Sequence, residues 1–124
     1  MREIKFRAWC KAKKKLYEVY SISKYEIVVY DISNQKEYLC EDCELMQYTG
    51  LKDKNGVEIY EGDVVEMHSK LAHTKTRGGI FYEERACAFM IDDNIFKQYI
   101  PITVSDDIEV IGNIHENPEL LEQK

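Results

Sequence analysis

The run Cys40-Glu41-Asp42-Cys43 is the one place in this sequence where residue types and spacing together suggest covalent or metal chemistry. Two cysteines separated by two residues can present paired thiolates to Zn2+ or cycle between dithiol and disulfide. Either chemistry asks for more than the motif supplies. A structural zinc site takes four ligands, and no second C-x-x-C or closely spaced Cys/His pair follows, so Cys10, Cys87, His68 and His73 would have to converge from elsewhere. Thioredoxin-like redox work calls for a βαβ setting and a cationic neighbourhood, whereas Glu41, Asp42 and Glu44 surround this pair with carboxylates that disfavour a thiolate. The expectation is incidental thiols with no metal and no cofactor; if a metal is bound, Cys40 and Cys43 are the candidate ligands.

Other reactive types are scattered. His68 and His73 flank a loop-like stretch and His115 follows the last strand, with no nucleophile or G-x-S-x-G context to complete a triad. In Asp92-Asp93 and Asp106-Asp107 the paired acids are adjacent, which on a strand sends them to opposite faces and in a turn leaves them solvated. Gly78-Gly79 lacks the Lys-Ser/Thr and following helix of a phosphate cradle. No catalytic residue is assigned, and the chain is expected not to be an enzyme.

One cluster does have the shape of a binding surface. Arg2, Lys5 and Arg7 alternate along the first apolar run, Lys11 and Lys13–Lys15 crowd the adjoining turn, and Trp9 lies between them. Basic groups interleaved with aromatics can hold phosphates while a ring stacks on a base. The simpler reading is a solvated outer face with Trp9 in the core. Tyr48, Ile59 and Tyr60 read most simply as core or rim residues, yet rim aromatics also bind peptides in small barrels. The candidate binding residues are therefore Arg2, Lys5, Arg7, Trp9, Lys13, Tyr48 and Tyr60.

The elements that must position these groups read as strands. Apolar segments are short, rich in aromatic and β-branched residues, and closed by turn residues. "EIKFRAW" alternates Ile4, Phe6 and Ala8 against Glu3, Lys5 and Arg7; "LYEVYSI" places Leu16 and Tyr20 as strand neighbours, and "YEIVVYDI" supplies a third run. Residues 33–44 read as a turn followed by irregular chain or a short helical turn. Asn55-Gly56 predicts a type I′ turn pairing "QYTGL" with "VEIY". Glu61-Gly62-Asp63 is a second tight turn before the strand "VVEM", an opening shared by SH3-like barrels.

Further along, residues 69–79 read as an exposed loop, "IFYEERACAFMI" as a strand pair or bent strand, and "FKQYIPITV" as an edge segment. "IEVIGNI", with Ile108, Val110 and Gly112 set against Ile111, suits a closing barrel strand. Asn117-Pro118 starts a short helical turn that can fold Leu120 and Leu121 back.

Length and charge narrow the function classes. The chain has 124 residues, enough for one core or two small lobes, and a formal net charge of −6. Residues 1–15 carry seven basic groups against the single acid Glu3, and the surplus thereafter is acidic. Nucleic-acid affinity rests on phosphate neutralisation, so such a chain would have to hold its basic cluster apart from its carboxylates. There is no signal-peptide core and no run of about eighteen apolar residues, so a cytosolic protein with no membrane partner is expected. In that compartment Cys10, Cys40, Cys43 and Cys87 are expected as thiols.

Three segments, "REIKFRAW", "LMQYTGLKDKNGVEIYEGDVV" and "IEVIGNIHENPELL", resemble the YopX-type family of small phage and prophage proteins in order and spacing, covering about a third of the chain. The resemblance implies a mainly β protein with an SH3-like barrel in its C-terminal part, encoded by a bacteriophage or prophage, and no established activity. Cys10 departs from the pattern, which has an acidic residue after the Trp; a family-wide role for a carboxylate there is disfavoured.

The fold expected is thus mainly β, with an N-terminal β-hairpin/sheet region over residues 1–46, an SH3-like barrel over 47–124 and a short C-terminal helical turn, packed as one cooperative unit. The function expected is that of a non-catalytic accessory protein acting in the bacterial host cytosol by binding a phage or host protein. The alternative is nucleic-acid binding through the basic N-terminal strand and turn with Lys70, Lys75 and Arg77, and a weaker one is a Zn or redox module at Cys40 and Cys43. Exposed strand edges also suit a homo-oligomer.

Overall fold

Strands form here wherever a neighbouring strand completes their hydrogen-bond ladder, including places where local propensity is poor. The computed structural model describes residues 3–69, 74–93, 98–102 and 107–121. It divides into two units, Met1–Tyr48 and Thr49–Lys124.

Unit 1 is an antiparallel meander of β1 (Phe6–Cys10), β2 (Lys15–Ile22), β3 (Ile27–Asp31) and β4 (Lys36–Leu39), with the first part of β5 (Cys43–Lys52) returning beside β1. The spatial order is β4-β3-β2-β1-β5. Side chains at alternate positions share a face, so the register Ala8↔Tyr17, Val19↔Val29 and Ala8↔Leu45 collects one apolar face. Its buried members are Ala8, Cys10, Tyr17, Val29 and Cys40, with Val19, Ile27, Tyr38, Cys43 and Leu45 packed against them.

Three expectations are corrected in this unit. Ile4 precedes β1 and is 67% exposed, so the apolar alternation begins only at Phe6. Tyr20 sits at an irregularity between Val19 and Ser21 that breaks the spacing from Leu16, and it is exposed. Residues 36–39 are a strand rather than irregular chain: Lys36 and Glu37 are poor strand formers, but pairing of Asp31–Val28 with Lys36–Leu39 overrides that preference.

Unit 2 contains β6 (Glu58–Tyr60), which pairs with the last part of β5, and a five-stranded antiparallel sheet. That sheet comprises β7 (Asp63–Ser69), β8 (Thr74–Glu83), β9 (Ala88–Asp93), β10 (Gln98–Pro101) and β11 (Asp107–Asn113), in the order β10-β9-β8-β7-β11. Its core is Ile59, Val65, Ile80, Ile91 and Ile108, flanked by Leu51, Met67, Phe89, Ile100, Ile102 and Val110. "IFYEERACAFMI" spans the β8–β9 pair with its turn at Glu84–Cys87, and β10 is an edge strand ending at Pro101, as expected. A 3-10 turn, Pro118–Leu121, follows Asn117, and a Cβ at Gly112 would come within 2.8 Å of Leu120 Cδ1, so Leu120 does fold back.

The exposed loop expected over 69–79 is corrected for its described part: Ser69 ends β7, and Thr74–Gly79 pair with Ser69–Val64. Aperiodic sequence misled here because β-branched Thr74 and Thr76 alternate with Lys75 and Arg77, a pattern that becomes a strand through its ladder with Ser69–Glu66. Lys70 and His73 lie outside the described residues. No sheet closes among the described residues: β11 and β10 lie at opposite ends of theirs, so β11 is an edge partner of β7 and not a barrel-closing strand.

The hairpin around Asn55-Gly56 forms, but by another turn. Gly56 has φ +81° while Asn55 keeps negative φ, and Gly56 N–H donates to Asp53 C=O at 3.0 Å. A type I′ turn needs positive φ at both centres. A longer loop from Asp53 to Val57, closed by Asp53 N–H to Val57 C=O at 2.8 Å, serves instead.

Candidate functional site

The basic cluster is largely occupied by partners within unit 1. Lys15 Nζ donates to Asp31 Oδ2 at 3.1 Å, Lys11 lies 3.9 Å from Asp42 and Lys5 lies 3.4 Å from Glu3. Lys13 stands 3.8 Å above the Tyr38 ring and Lys5 5.0 Å from that of Tyr48. Each cation–π contact is worth about 0.5–1 kcal/mol at an exposed site. The reason lies in the ladder: Cys10↔Lys15 puts Lys15 on the core face of the sheet, where its stem runs beside Tyr17 and its ammonium meets Asp31 at the end of β3.

Asp31 is itself fixed by its turn, accepting from Ser33 N–H at 2.9 Å and Ser33 Oγ at 2.6 Å. The Ser33 hydroxyl chiefly, with Lys15 also contributing, holds its carboxyl below the ordinary value against the opposing effect of burial. The same hydrogen bond to Asp31 is the main influence raising Lys15.

Of the other proposed binding residues, Arg7 and Trp9 are half-buried on the strand face opposite Ala8 and Cys10. Arg7 has Glu18 and fully buried Met46 as cross-strand neighbours, so it is not part of an open basic face. Tyr48 is buried, and Tyr60 is half-buried with its hydroxyl 3.3 Å from Glu58. Arg2 lies outside the described residues. Among the described residues, Arg7, Trp9, Tyr48 and Tyr60 are thus buried or half-buried rather than part of one exposed surface with the lysines.

What is exposed in unit 1 lies at its other margin. Ile22, Tyr25 and Leu39 are 47%, 87% and 63% exposed and line a groove of about 480 Å3 with Ile27, Cys40 and Glu41. The Ser23 hydroxyl shapes its rim by accepting from the Tyr25 and Glu26 amides. Strand β4 is the end strand beside this groove. Because Cys40 N–H donates to Ile27 C=O, alternation along the ladder turns the backbone groups of Glu37 and Leu39 away from β3. Sequence reasoning missed this surface because Leu39 and Cys40 were assigned to irregular chain.

The cysteines are also corrected. Cys40 and Cys43 form a disulfide across the bend between β4 and β5, with Cα atoms 5.9 Å apart. That separation falls within the usual range of about 4.4–6.8 Å, and the bend brings both Cβ atoms to one face. Cys10 is a buried thiol and Cys87 an exposed one in the β8–β9 turn. Among the described residues no group of three or more His, Cys, Asp or Glu is arranged to hold a metal ion.

Unit 2 carries a polar groove instead, lined by Lys54, Glu66, His68, Lys75, Asp107 and Glu109. Its charges alternate in rows: Arg77 and Lys75 both reach Glu66, at 3.1 and 3.7 Å, Lys54 reaches Glu109 at 3.5 Å, and His68 lies 3.8 Å from Asp107. Lys75 and Arg77 are thus engaged with an acid. At the end of β9, Asp92 is half-buried and Asp93 buried; Asp106 is outside the described residues. His115 lies in the turn after β11, where its N–H donates to Asn113 Oδ1.

The polar residue that organises this unit was not singled out from sequence. Asp53 Oδ1 accepts from Asn55 and Val57 N–H at 2.8 and 2.9 Å, while Oδ2 accepts from Val110 N–H at 3.0 Å. With Lys54 N–H on Ile108 C=O at 3.0 Å, the hairpin turn covers the outer edge of β11. Burial alone would raise the Asp53 carboxyl, but the amides of Val110, Val57 and Asn55 outweigh it and hold the group below its ordinary value.

Comparison with known proteins places these features in a family. The family model described as YopX protein matches residues 5–122. A crystal structure of protein EF1440 from Enterococcus faecalis is similar at 31% identity and a TM-score of 0.66, over 98% of this chain and 100% of that one. The crystal structure of protein yopX from Bacillus subtilis matches over the same shares at 18% identity, also with a TM-score of 0.66, a likeness of fold. No match was found among functionally curated proteins.

Proposed function

The chain belongs to the YopX family, and from that premise we propose that it is a phage or prophage accessory protein that binds another protein and catalyses no reaction of its own. The observation that carries this reading is the margin of unit 1. An end strand with outward backbone groups at Glu37 and Leu39 adjoins a groove rimmed by Ile22, Tyr25 and Leu39. Extended peptide adds to such an edge by main-chain hydrogen bonds, and alternate side chains settle into an adjoining depression, here one in which Ile22, Tyr25 and Leu39 stand beside Lys24, Glu26 and Glu41. The occupant suited to it is an extended segment with an apolar side chain at the position facing Leu39. No helix among the described residues is long and apolar enough to cross a membrane. A host-cytosol location is part of this proposal, although the Cys40–Cys43 disulfide is a bond that compartment does not favour.

Two variants test it. Leu39→Asp removes the apolar contact, and Glu37→Pro removes one outward N–H while leaving the β3 side of the ladder. Affinity capture from phage-induced cells should return a stoichiometric protein with the parent chain and lose it with both variants; a partner retained by both rules out this edge. Sedimentation of the purified chain decides whether that partner is a second copy.

Nucleic acid is the less supported partner, since Lys5, Lys11, Lys13 and Lys15 already have acidic or aromatic neighbours. A steep loss of binding with salt would restore that reading, because phosphate contact releases counterions.

A further inference from the structure

Three of the four cysteines meet on one face of unit 1. Cys10 and Cys40 lie in the same buried cluster, and Cys43 packs against it. Cys10 is moreover the direct cross-strand neighbour of Cys43 in the β1–β5 ladder. The ladder's hydrogen bonds define the kind of pair this is. Lys11 N–H donates to Asp42 C=O and Tyr48 N–H to Lys5 C=O, so the odd-numbered residues of β1 are the hydrogen-bonded positions and Cys10–Cys43 is a non-hydrogen-bonded pair. In antiparallel sheets such pairs have Cα atoms about 4.5 Å apart with their side chains close together. That separation lies at the near end of the range a disulfide spans, roughly 4.4–6.8 Å.

We infer that Cys10, Cys40 and Cys43 form one thiol–disulfide exchange site, in which the buried Cys10 thiol and the Cys40–Cys43 disulfide interconvert with a Cys10–Cys43 disulfide and a Cys40 thiol. Cys10 Sγ, as thiolate, attacks Cys43 Sγ. The Sγ–Sγ bond to Cys40 breaks, its electron pair leaves on Cys40, and the proton given up by Cys10 is taken by Cys40. One disulfide and one thiol stand on each side, so no oxidant or reductant is consumed.

The two isomers differ in what they hold. In the first, the bond closes the bend that ties β4 to β5. In the second, the bond joins β1 and β5, which are already paired, and leaves Cys40 as a thiol lining the groove with Ile22, Tyr25 and Leu39. The exchange thus places in that groove a thiol that can attack a disulfide-bearing molecule: Cys40 Sγ, as thiolate, bonds one sulfur of the incoming disulfide, whose own S–S bond breaks, and the other sulfur leaves as a thiolate. This inference does not depend on the binding partner proposed above.

Disulfide mapping tests it on the full chain carrying Cys87→Ser, which removes the exposed fourth thiol. Protein held at neutral pH is quenched in acid, labelled with N-ethylmaleimide, digested and mapped. Label divided between Cys10 and Cys40 is expected; label confined to Cys10 overturns the inference. In a glutathione redox buffer that oxidises Cys40–Cys43 in the added variant Cys10→Ser, the added variant Cys40→Ser should lose maleimide uptake at both Cys10 and Cys43. Full uptake at both positions there also overturns it. So does stoichiometric zinc retained by the reduced chain with all three thiols protected, which would make the cluster a metal site.

Discussion

Replacing Asp53 by Ala should destabilise the chain out of proportion to a turn residue. The carboxylate accepts three backbone amides at 2.8–3.0 Å from two separate segments, the Asp53–Val57 loop and β11. The Asn55 and Val57 amides lie on exposed residues and regain water when the carboxylate goes, at a loss of about 0.5–1 kcal/mol each. The Val110 amide is in a half-buried strand and has no such access, at about 1–3 kcal/mol. The total is roughly 2–5 kcal/mol, or a fall in melting midpoint of about 8–20 °C for a chain of this size.

Asp53→Asn separates the contributions. It can keep both loop bonds through Oδ1, but its amide nitrogen then meets Val110 N–H donor against donor, at about 1–3 kcal/mol. The pH dependence carries the sign. The folded-state value is held below the ordinary 3.8, so the stabilisation is fully present above about pH 4 and is lost as pH falls through the folded-state value. Asp53→Asn should therefore show a shallower loss of stability in acid than the parent. Thermal unfolding followed by circular dichroism from pH 7 to pH 2 reads both effects. A Asp53→Ala midpoint within about 2 °C of the parent, or identical acid limbs for parent and Asp53→Asn, would refute the reasoning.

Other outcomes follow from the same structure. Gly78→Ala should cost about 1–3 kcal/mol in denaturant titration, because a Cβ there collides with the Asp92 carbonyl and Ile91 Cγ2, whereas Gly79→Ala, with its nearest contact at 3.5 Å, should stay within about 1 kcal/mol. Asp31→Ala should lower the stability of unit 1 measured by Trp9 fluorescence. Because Asp31 is lowered and Lys15 raised, that difference should be greatest between about pH 4 and 10 and shrink outside it, in acid as Asp31 protonates and in alkali as Lys15 loses its proton. Leu39→Asp should leave the melting midpoint within about 2 °C of the parent while abolishing partner capture, since the side chain is 63% exposed.

The strand character, most of the turns and the family could be read from the sequence, because β-branched and aromatic runs closed by Asn-Gly, Gly-Asp and Asn-Pro report local backbone preference. Glu61-Gly62-Asp63 is a case: Tyr60 N–H, on the residue just before it, donates to Asp63 Oδ2 at 2.8 Å, a bond spanning only three positions of the chain. Features set by pairing between distant residues were not legible. β4 opens with the poor strand formers Lys36 and Glu37 and becomes a strand because β3 offers it a ladder, and Thr74–Gly79 become a strand for the same reason. The basic cluster looked like a surface because sequence shows cations but not the rings and carboxylates that come to meet them. Cys10 seemed unrelated to Cys43, thirty-three residues away; only the register of β1 against β5 made them neighbours. Local preference is a property of consecutive residues, whereas register and its contacts depend on which strand lies alongside, and that partner is chosen by the folded chain as a whole.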